Sequence, residues 1–354
     1  MHRHFNVKTI LDHSSEEYRT EELFNLNLEM KKKLIEESCS VIGTDAVKFV
    51  PLKASSLINP AVLEELSRRR ENSHTKDISG DLTVRLLEFP SPLDAQWQSG
   101  MQRLTEICAT AREHGICLLL DAEESDRQPG LEIVYRVLAR EFNNCDLGKV
   151  VADVSSPSSP SPSRGPVLYN TYQSYLRRTE VALTRDLAHA NENQYIFAFK
   201  LVRGAYMNSE LRRAAASSTH GADFLSPLQE SKTDVDATYN RIVHRSLHQI
   251  HQGSNLRIMV ATHNKESILQ ALHEMDKLNM PSDHPYIHFA QILGMTDNLT
   301  YALGLGNYNV AKLLLFGEFK DILPWLLRRM DENHVCVYVF MCMYVCTVCI
   351  FILL

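Results

Sequence analysis

The 354-residue chain has no glycine-rich G-x-G-x-x-G turn after its first apolar run, which removes the main support for a nucleotide-binding doubly wound sheet. It has no basic excess either. With 37 Lys and Arg against 43 Asp and Glu, the formal charge is −6, and no basic stripe stands out. That balance argues against general nucleic-acid binding. Disulfide patterning is also missing: Cys39, Cys108, Cys117 and Cys145 are scattered through segments that read as core or helix, as in a reducing compartment. The other four cysteines crowd into the last 20 residues, where Cys346 and Cys349 form a C-x-x-C. A zinc site needs a second pair of ligands, so no metal is expected there.

What is present is a soluble, globular composition, 44% hydrophobic and 23% charged. Short apolar runs recur at 7–11, 46–52, 116–122, 165–172, 196–202, 257–263, 286–292 and 310–316, with helical stretches between them. Eight strands alternating with helices predict a (β/α)8 barrel in one domain, 1–333, with an open doubly wound sheet as the alternative. The Ser/Pro-rich stretch 155–166 reads as a mobile surface insertion, and 71–90 as a shorter polar connection. The final residues, 335–354, carry no charge, glycine or proline. Their length suffices for a transmembrane helix, and their abrupt Cys- and Val-rich onset also reads as translated intron.

Lys200 to Glu210, KLVRGAYMNSE, sets two cations, an aromatic and a carboxylate beside Gly204 at a strand end. In a barrel, strand C-termini build the active site, so Lys200, Arg203 and Tyr206 are expected in one pocket. In Phe319 to Asn333, Phe319, Ile322, Leu323, Leu326, Leu327 and Met330 recur at helical spacing and predict a core-facing stripe. Arg328 and Arg329 follow on that helix. Two adjacent guanidiniums suit a small carboxylate, and the same pair near a helix end also offsets the macrodipole.

Together these segments resemble the proline dehydrogenase family. The resemblance runs in order through ILDHSSEE from Ile10, VKFVPLKASSL from Val47, LLLDAEES from Leu118, YNTYQSYL from Tyr169, KLVRGAYM from Lys200, VATHNKES from Val260, FAQILGM from Phe289 and LLRRMDEN from Leu326. It implies a flavin enzyme that oxidises proline with FAD and passes electrons to a quinone at the mitochondrial inner membrane. No Arg- and Ser-rich leader precedes the first strand, so the front end reads as incomplete.

By the same resemblance, Lys53 and Asp121 belong to the ion network beside flavin and substrate, Asn170 bonds the flavin, and Lys200 lies near its reactive nitrogen. Arg203 and Gly204 join the cofactor site, with Tyr206 lining it. Thr262, His263 and Asn264 hold the pyrophosphate side. Arg328 and Arg329 bind the substrate carboxylate, and Glu332 orients Arg328 from four residues on. Two departures concern the substrate pocket. Trp325 and Leu313 stand where the family usually has tyrosines, and loss of the strand-eight tyrosine is shared with hydroxyproline-oxidising members. Proline is therefore the first substrate expected and 4-hydroxyproline the second, with a catalytically impaired, membrane-tethered relative as the alternative of a different class.

Overall fold

In a computed structural model, the described residues are 2–13, 19–43, 46–72, 89, 91–144, 165–217 and 226–332. The central run of the Ser/Pro insertion, residue Cys145, most of the 71–90 connection and the apolar tail lie outside them. The elements alternate as α1 (His2–Phe5), β1 (Val7–His13), α2 (Glu21–Glu37), β2 (Val47–Leu52), α3 (Pro60–Asn72), α4 (Leu93–Glu113), β3 (Cys117–Leu120), α5 (Gln128–Phe142) and β4 (Leu168–Gln173). They continue as α6 (Thr179–Glu192), β5 (Phe197–Val202), α7 (Met207–Ser217), α8 (Lys232–His251), β6 (Leu256–Ala261), α9 (Lys265–Lys277), β7 (Ile287–Ile292), α10 (Asp297–Leu305), β8 (Val310–Phe316) and α11 (Phe319–Glu332).

The eight strands pair in sequence order, all parallel, and close on themselves. The expected barrel is therefore the observed one, and each predicted run supplies one strand with ends shifted by at most a few residues. Closure is made by seven consecutive residue pairs between β1 and β8, from Val7 with Val310 to His13 with Phe316.

Strand residues alternate between two environments because successive side chains point to opposite faces. One set, Ile10, Phe49, Cys117, Leu119, Tyr169, Ala198, Met259, Ala290 and Ala311, packs together inside the barrel. The other set, including Val50, Leu118, Leu168, Tyr172, Phe199 and Val260, packs outward against the helices. Asn143, just after α5, gathers three chain segments: it donates to the carbonyls of Leu168 (2.7 Å) and Ile196 (3.1 Å) and accepts from the amides of Val167 (3.0 Å) and Leu168 (2.9 Å).

The helical layer holds a buried ion cluster. Glu132 on α5 is 1% exposed and accepts from Arg70 of α3, Arg178 and Arg185, each at 2.8 Å. Burial pushes its pKa up, but Arg178, Arg70 and Arg185 outweigh this and hold it down at about 2. The contribution of Glu132 to stability is thus present above the ordinary carboxylate pKa and is lost as pH falls from about 4.5 toward about 2. Glu132→Gln leaves three guanidiniums around a neutral amide. It is expected to cost on the order of 3–5 kcal/mol in urea unfolding at pH 7, with a smaller difference from wild type near pH 3.

Candidate active site

Two residues beyond the apolar layer, toward the strand C-termini, the inward-facing positions change character. On β1, β3, β4 and β5 they are Asp12, Asp121, Thr171 and Lys200, whereas on β6, β7 and β8 they are Ala261, Ile292 and Leu313. The barrel mouth is divided: one side is charged and polar, the other aliphatic.

On the polar side, Lys200 Nζ donates to Asp121 Oδ1 at 2.5 Å, joining β5 to β3. Asp12 is paired with Lys31 of α2 at 3.3 Å, and Lys31, 1% exposed, also donates to the carbonyls of His13 and Pro51 at 3.1 and 3.2 Å. Burial pushes the Asp12 carboxyl up to about 6, with the nearby Asp121 charge adding to the rise and Lys31 and Lys200 opposing it. Lys53, half-buried immediately after β2, shares this end of the barrel, and its charge is felt at the buried Glu123. Neither Asp12 nor Lys31 stood out in the sequence. A signal was present: Phe24, Asn27, Leu28, Lys31, Leu34 and Ile35 form the buried face of α2, and Lys31 is the lone cation on it.

On the aliphatic side, Ile292, Trp325 and Leu326 pack around Met295, Leu315 and Ile322. The Arg329 guanidinium lies over the Trp325 ring at 5.4 Å from its centroid, which puts that arginine beside the apolar wall. The side chains of Arg328, Met330 and Glu332 lie outside the described residues. The expected core stripe on α11 is corrected. Ile322 is buried, but Phe319, Leu323 and Leu327 are 61%, 37% and 50% exposed; among the described residues, Ile322, Trp325 and Leu326 are those of this helix that pack against the barrel.

Arg203 takes partners other than those of Lys200. Its guanidinium turns to the β6 end, donating to Asp236 of α8 (2.7 Å), Thr262 Oγ1 (2.6 Å) and Ser267 of α9 (2.9 Å), with its face on the Tyr239 ring. Asp236 also accepts from Lys232 at 2.5 Å. Burial opposes its ionisation, yet the hydrogen bonds from Lys232 and Arg203 hold its pKa below the usual range. Thr262 is buried and His263 exposed at the rim. Asn264 caps α9, its side chain accepting from the Ser267 amide at 3.0 Å. Two cations around one carboxylate, two hydroxyls and a capped helix start are donors that suit a phosphate-bearing group.

Asn170 and Gly204 sit in different settings. Asn170 is fully buried on the same side of β4 as Leu168 and Tyr172, whose hydroxyl meets Asp186 of α6, so it faces the helical layer. Thr171 and Gln173 share the inward side of β4 with Tyr169, and Gln173 accepts from the Ala205 amide at 3.2 Å. Gly204 has φ +143, and an added Cβ would fall 1.6 Å from the Tyr175 ring. The glycine is required by that ring and by its backbone. Tyr206, half-buried, comes two residues later, just before α7, its carbonyl accepting from the Glu210 amide at 3.0 Å.

Fold and site define a parallel α/β barrel carrying an acid–base pair at its strand ends. The proline dehydrogenase family model matches residues 1–337, and the chain belongs to that family, whose members are flavin-dependent. The chain is 31% identical over 300 residues to the hydroxyproline dehydrogenase of Rattus norvegicus, covering 81% of this chain and 60% of that one. It is also 31% identical over 256 residues to the mitochondrial proline dehydrogenase 1 of Homo sapiens, covering 72% and 38%. It thus spans less than two thirds of each of these relatives. Among solved structures, proline utilization A from Bdellovibrio bacteriovorus, inactivated by N-propargylglycine, superposes with a TM-score of 0.70 at 18% identity over 94% of this chain and 30% of that one. This likeness shows the same barrel.

Two outcomes follow from the geometry. Gly204→Ala combines a disfavoured φ with a collision against Tyr175, and a loss of more than about 2 kcal/mol in unfolding free energy is expected; an unchanged melting temperature would show that the turn relaxes freely. Asp12 has a folded pKa raised to about 6, so between pH 4 and 6 the folded chain keeps a proton that the unfolded chain releases. Its contribution to stability therefore falls as pH rises through that window and is level above it. Wild type should lose on the order of 2 kcal/mol relative to Asp12→Asn across this range, measured by urea midpoints at several pH values.

Proposed function

We propose that the chain oxidises a cyclic imino acid at the ring carbon beside nitrogen, with noncovalently bound FAD, L-proline being the preferred substrate and 4-hydroxyproline an accepted one. The observation that carries this reading is the divided mouth. Proline has a carboxylate, a secondary amine and an aliphatic ring, and the mouth offers a counterpart to each. Arg329, with Arg328 beside it in sequence, suits the carboxylate. Leu313, Ile292 and Ala261 suit the ring, and Asp121 and Asp12 lie where a positive amine gains. The donors around Arg203, Thr262, Ser267 and Asn264 suit the pyrophosphate of FAD. When bound, the flavin supplies the acceptor for the hydride lost from the ring carbon. The amine also gives up its N–H proton, and the product is Δ1-pyrroline-5-carboxylate.

The protein's own contribution is orientation and charge. The ion pair of Lys200 with Asp121 fixes both groups before substrate arrives, and the aliphatic half keeps water from the ring. Lys53 adds a cation at the polar edge. Family membership also supports a quinone as electron acceptor and a place on the matrix side of the mitochondrial inner membrane. Among the described residues no helix is long and apolar enough to cross a membrane.

A second reading, with 4-hydroxyproline preferred, is favoured by Leu313: it is half-buried on the inner face of β8 and carries no hydroxyl. The rat relative's name points the same way. The test begins with the purified chain, which should show flavin absorbance and release flavin on acid precipitation. A colourless protein from FAD-saturated buffer overturns the proposal and favours an impaired relative. With a dye acceptor, kcat/KM for proline should exceed that for hydroxyproline, and the reverse order assigns the second reading. Leu313→Tyr places a bulky ring near the substrate and should raise selectivity for proline by about 1–3 kcal/mol, roughly five- to more than hundredfold. An unmoved ratio would place residue 313 outside the pocket.

A further inference from the structure

The helices flanking β6 bring three metal-ligating side chains together away from the barrel mouth. His244 and His248 are four residues apart on α8 and therefore share one face of it. Glu274, on the packed neighbour α9, meets both: its Oε1 lies 2.9 Å from His248 Nε2 and 3.3 Å from His244 Nε2. The two imidazole rings lie 4.4 Å apart at 32°, and one ligand atom from each of the three residues falls within 4.8 Å of the others. In a tetrahedral zinc site with bonds of ~2.0–2.1 Å, neighbouring ligand atoms are about 3.3 Å apart; the edge from Glu274 to His244 has that length, and the 2.9 Å edge to His248 needs only a small opening.

Charge and placement agree. Lys277 binds the other carboxylate oxygen of Glu274, Oε2, at 3.4 Å, which leaves Oε1 for a metal in monodentate fashion. The histidines are 58% and 39% exposed, so an ion has access. Their stretch of α8 and the last turn of α9 precede β6 and β7, which puts the cluster toward the strand N-termini. In α/β barrels that end serves stability, while the chemistry sits at the other.

We infer that His244, His248 and Glu274 form a three-ligand site for a zinc-class divalent ion that staples α8 to α9, with water completing the coordination. Two imidazoles and one carboxylate suit Zn²⁺, and Co²⁺ or Ni²⁺ enters the same set. An ion bound only by the folded pair of helices raises the stability of the barrel by linkage.

The test is isothermal titration of the full chain with ZnCl₂, compared with the double variant His244→Gln/His248→Gln and with Glu274→Gln. Wild type should show a saturable site of micromolar order, weakened at least tenfold in both variants. Its melting temperature should rise with zinc by a few degrees more than theirs. Co²⁺ should give the visible bands of four-coordinate cobalt in wild type alone. All substitutions lie on the outer helices, so equal melting temperatures without metal verify that the variants are folded. Zinc uptake that is equal in wild type and double variant, or no saturable binding at roughly 100 μM zinc, overturns the assignment.

Discussion

Everything at the barrel mouth depends on the pairing of the first strand with the last. Seven residue pairs between β1 and β8 hold that seam, opposing Asp12 to Leu315 and Ile10 to Leu313. Parallel pairing of two segments some three hundred residues apart is slow to find and carries a large loop-closure cost. Once made, it sets the register of the whole mouth. A shift of one residue would turn Asp12 outward and bring Leu11 into the site, since alternation has a period of two.

The same register explains why the mouth is divided. Charged inward positions occur on strands whose neighbouring helices or loops supply partners: α2 gives Lys31 to Asp12, and β3 gives Asp121 to Lys200. A buried ion pair gains little net stability, because desolvation offsets most of the attraction. Retaining the largely buried Asp12–Lys31 pair beside the part-exposed Lys200–Asp121 pair is therefore better understood as positioning. On the far side, Ile292, Leu313 and Trp325 carry no such cost, and the wall they make extends onto α11 through Met295 and Leu315.

The strands were legible because parallel barrel strands are buried on both faces and read as unbroken apolar runs. The last of them, Val310–Phe316, coincides with its predicted run residue for residue. Site residues were legible as types and strand ends, but not as directions. Asn170 and Thr171 are adjacent, and only the observed parity of β4 tells which enters the barrel. Arg203 is three residues from Lys200, yet Asp236, distant in sequence, draws it to another strand. The apolar spacing of α11 overstates its core face, because periodicity shows which residues share a face, not whether a partner covers it. His244, His248 and Glu274 are not legible as a cluster in the sequence, since the four-residue histidine spacing acquires its third member only when α9 packs against α8.

Asn143 has a consequence for how the chain can vary over time. One amide side chain at the end of α5 ties together the start of β4 and the approach to β5, with bonds to Val167, Leu168 and Ile196. The described residues on either side of 145–164 are thereby held to the framework. Closing a longer connection costs only about 0.6 kcal/mol for each doubling of its length. This corner of the barrel is thus a permissive point in the gene, where segments can be gained, lost or exchanged for unrelated sequence while the mouth at the opposite end keeps its register.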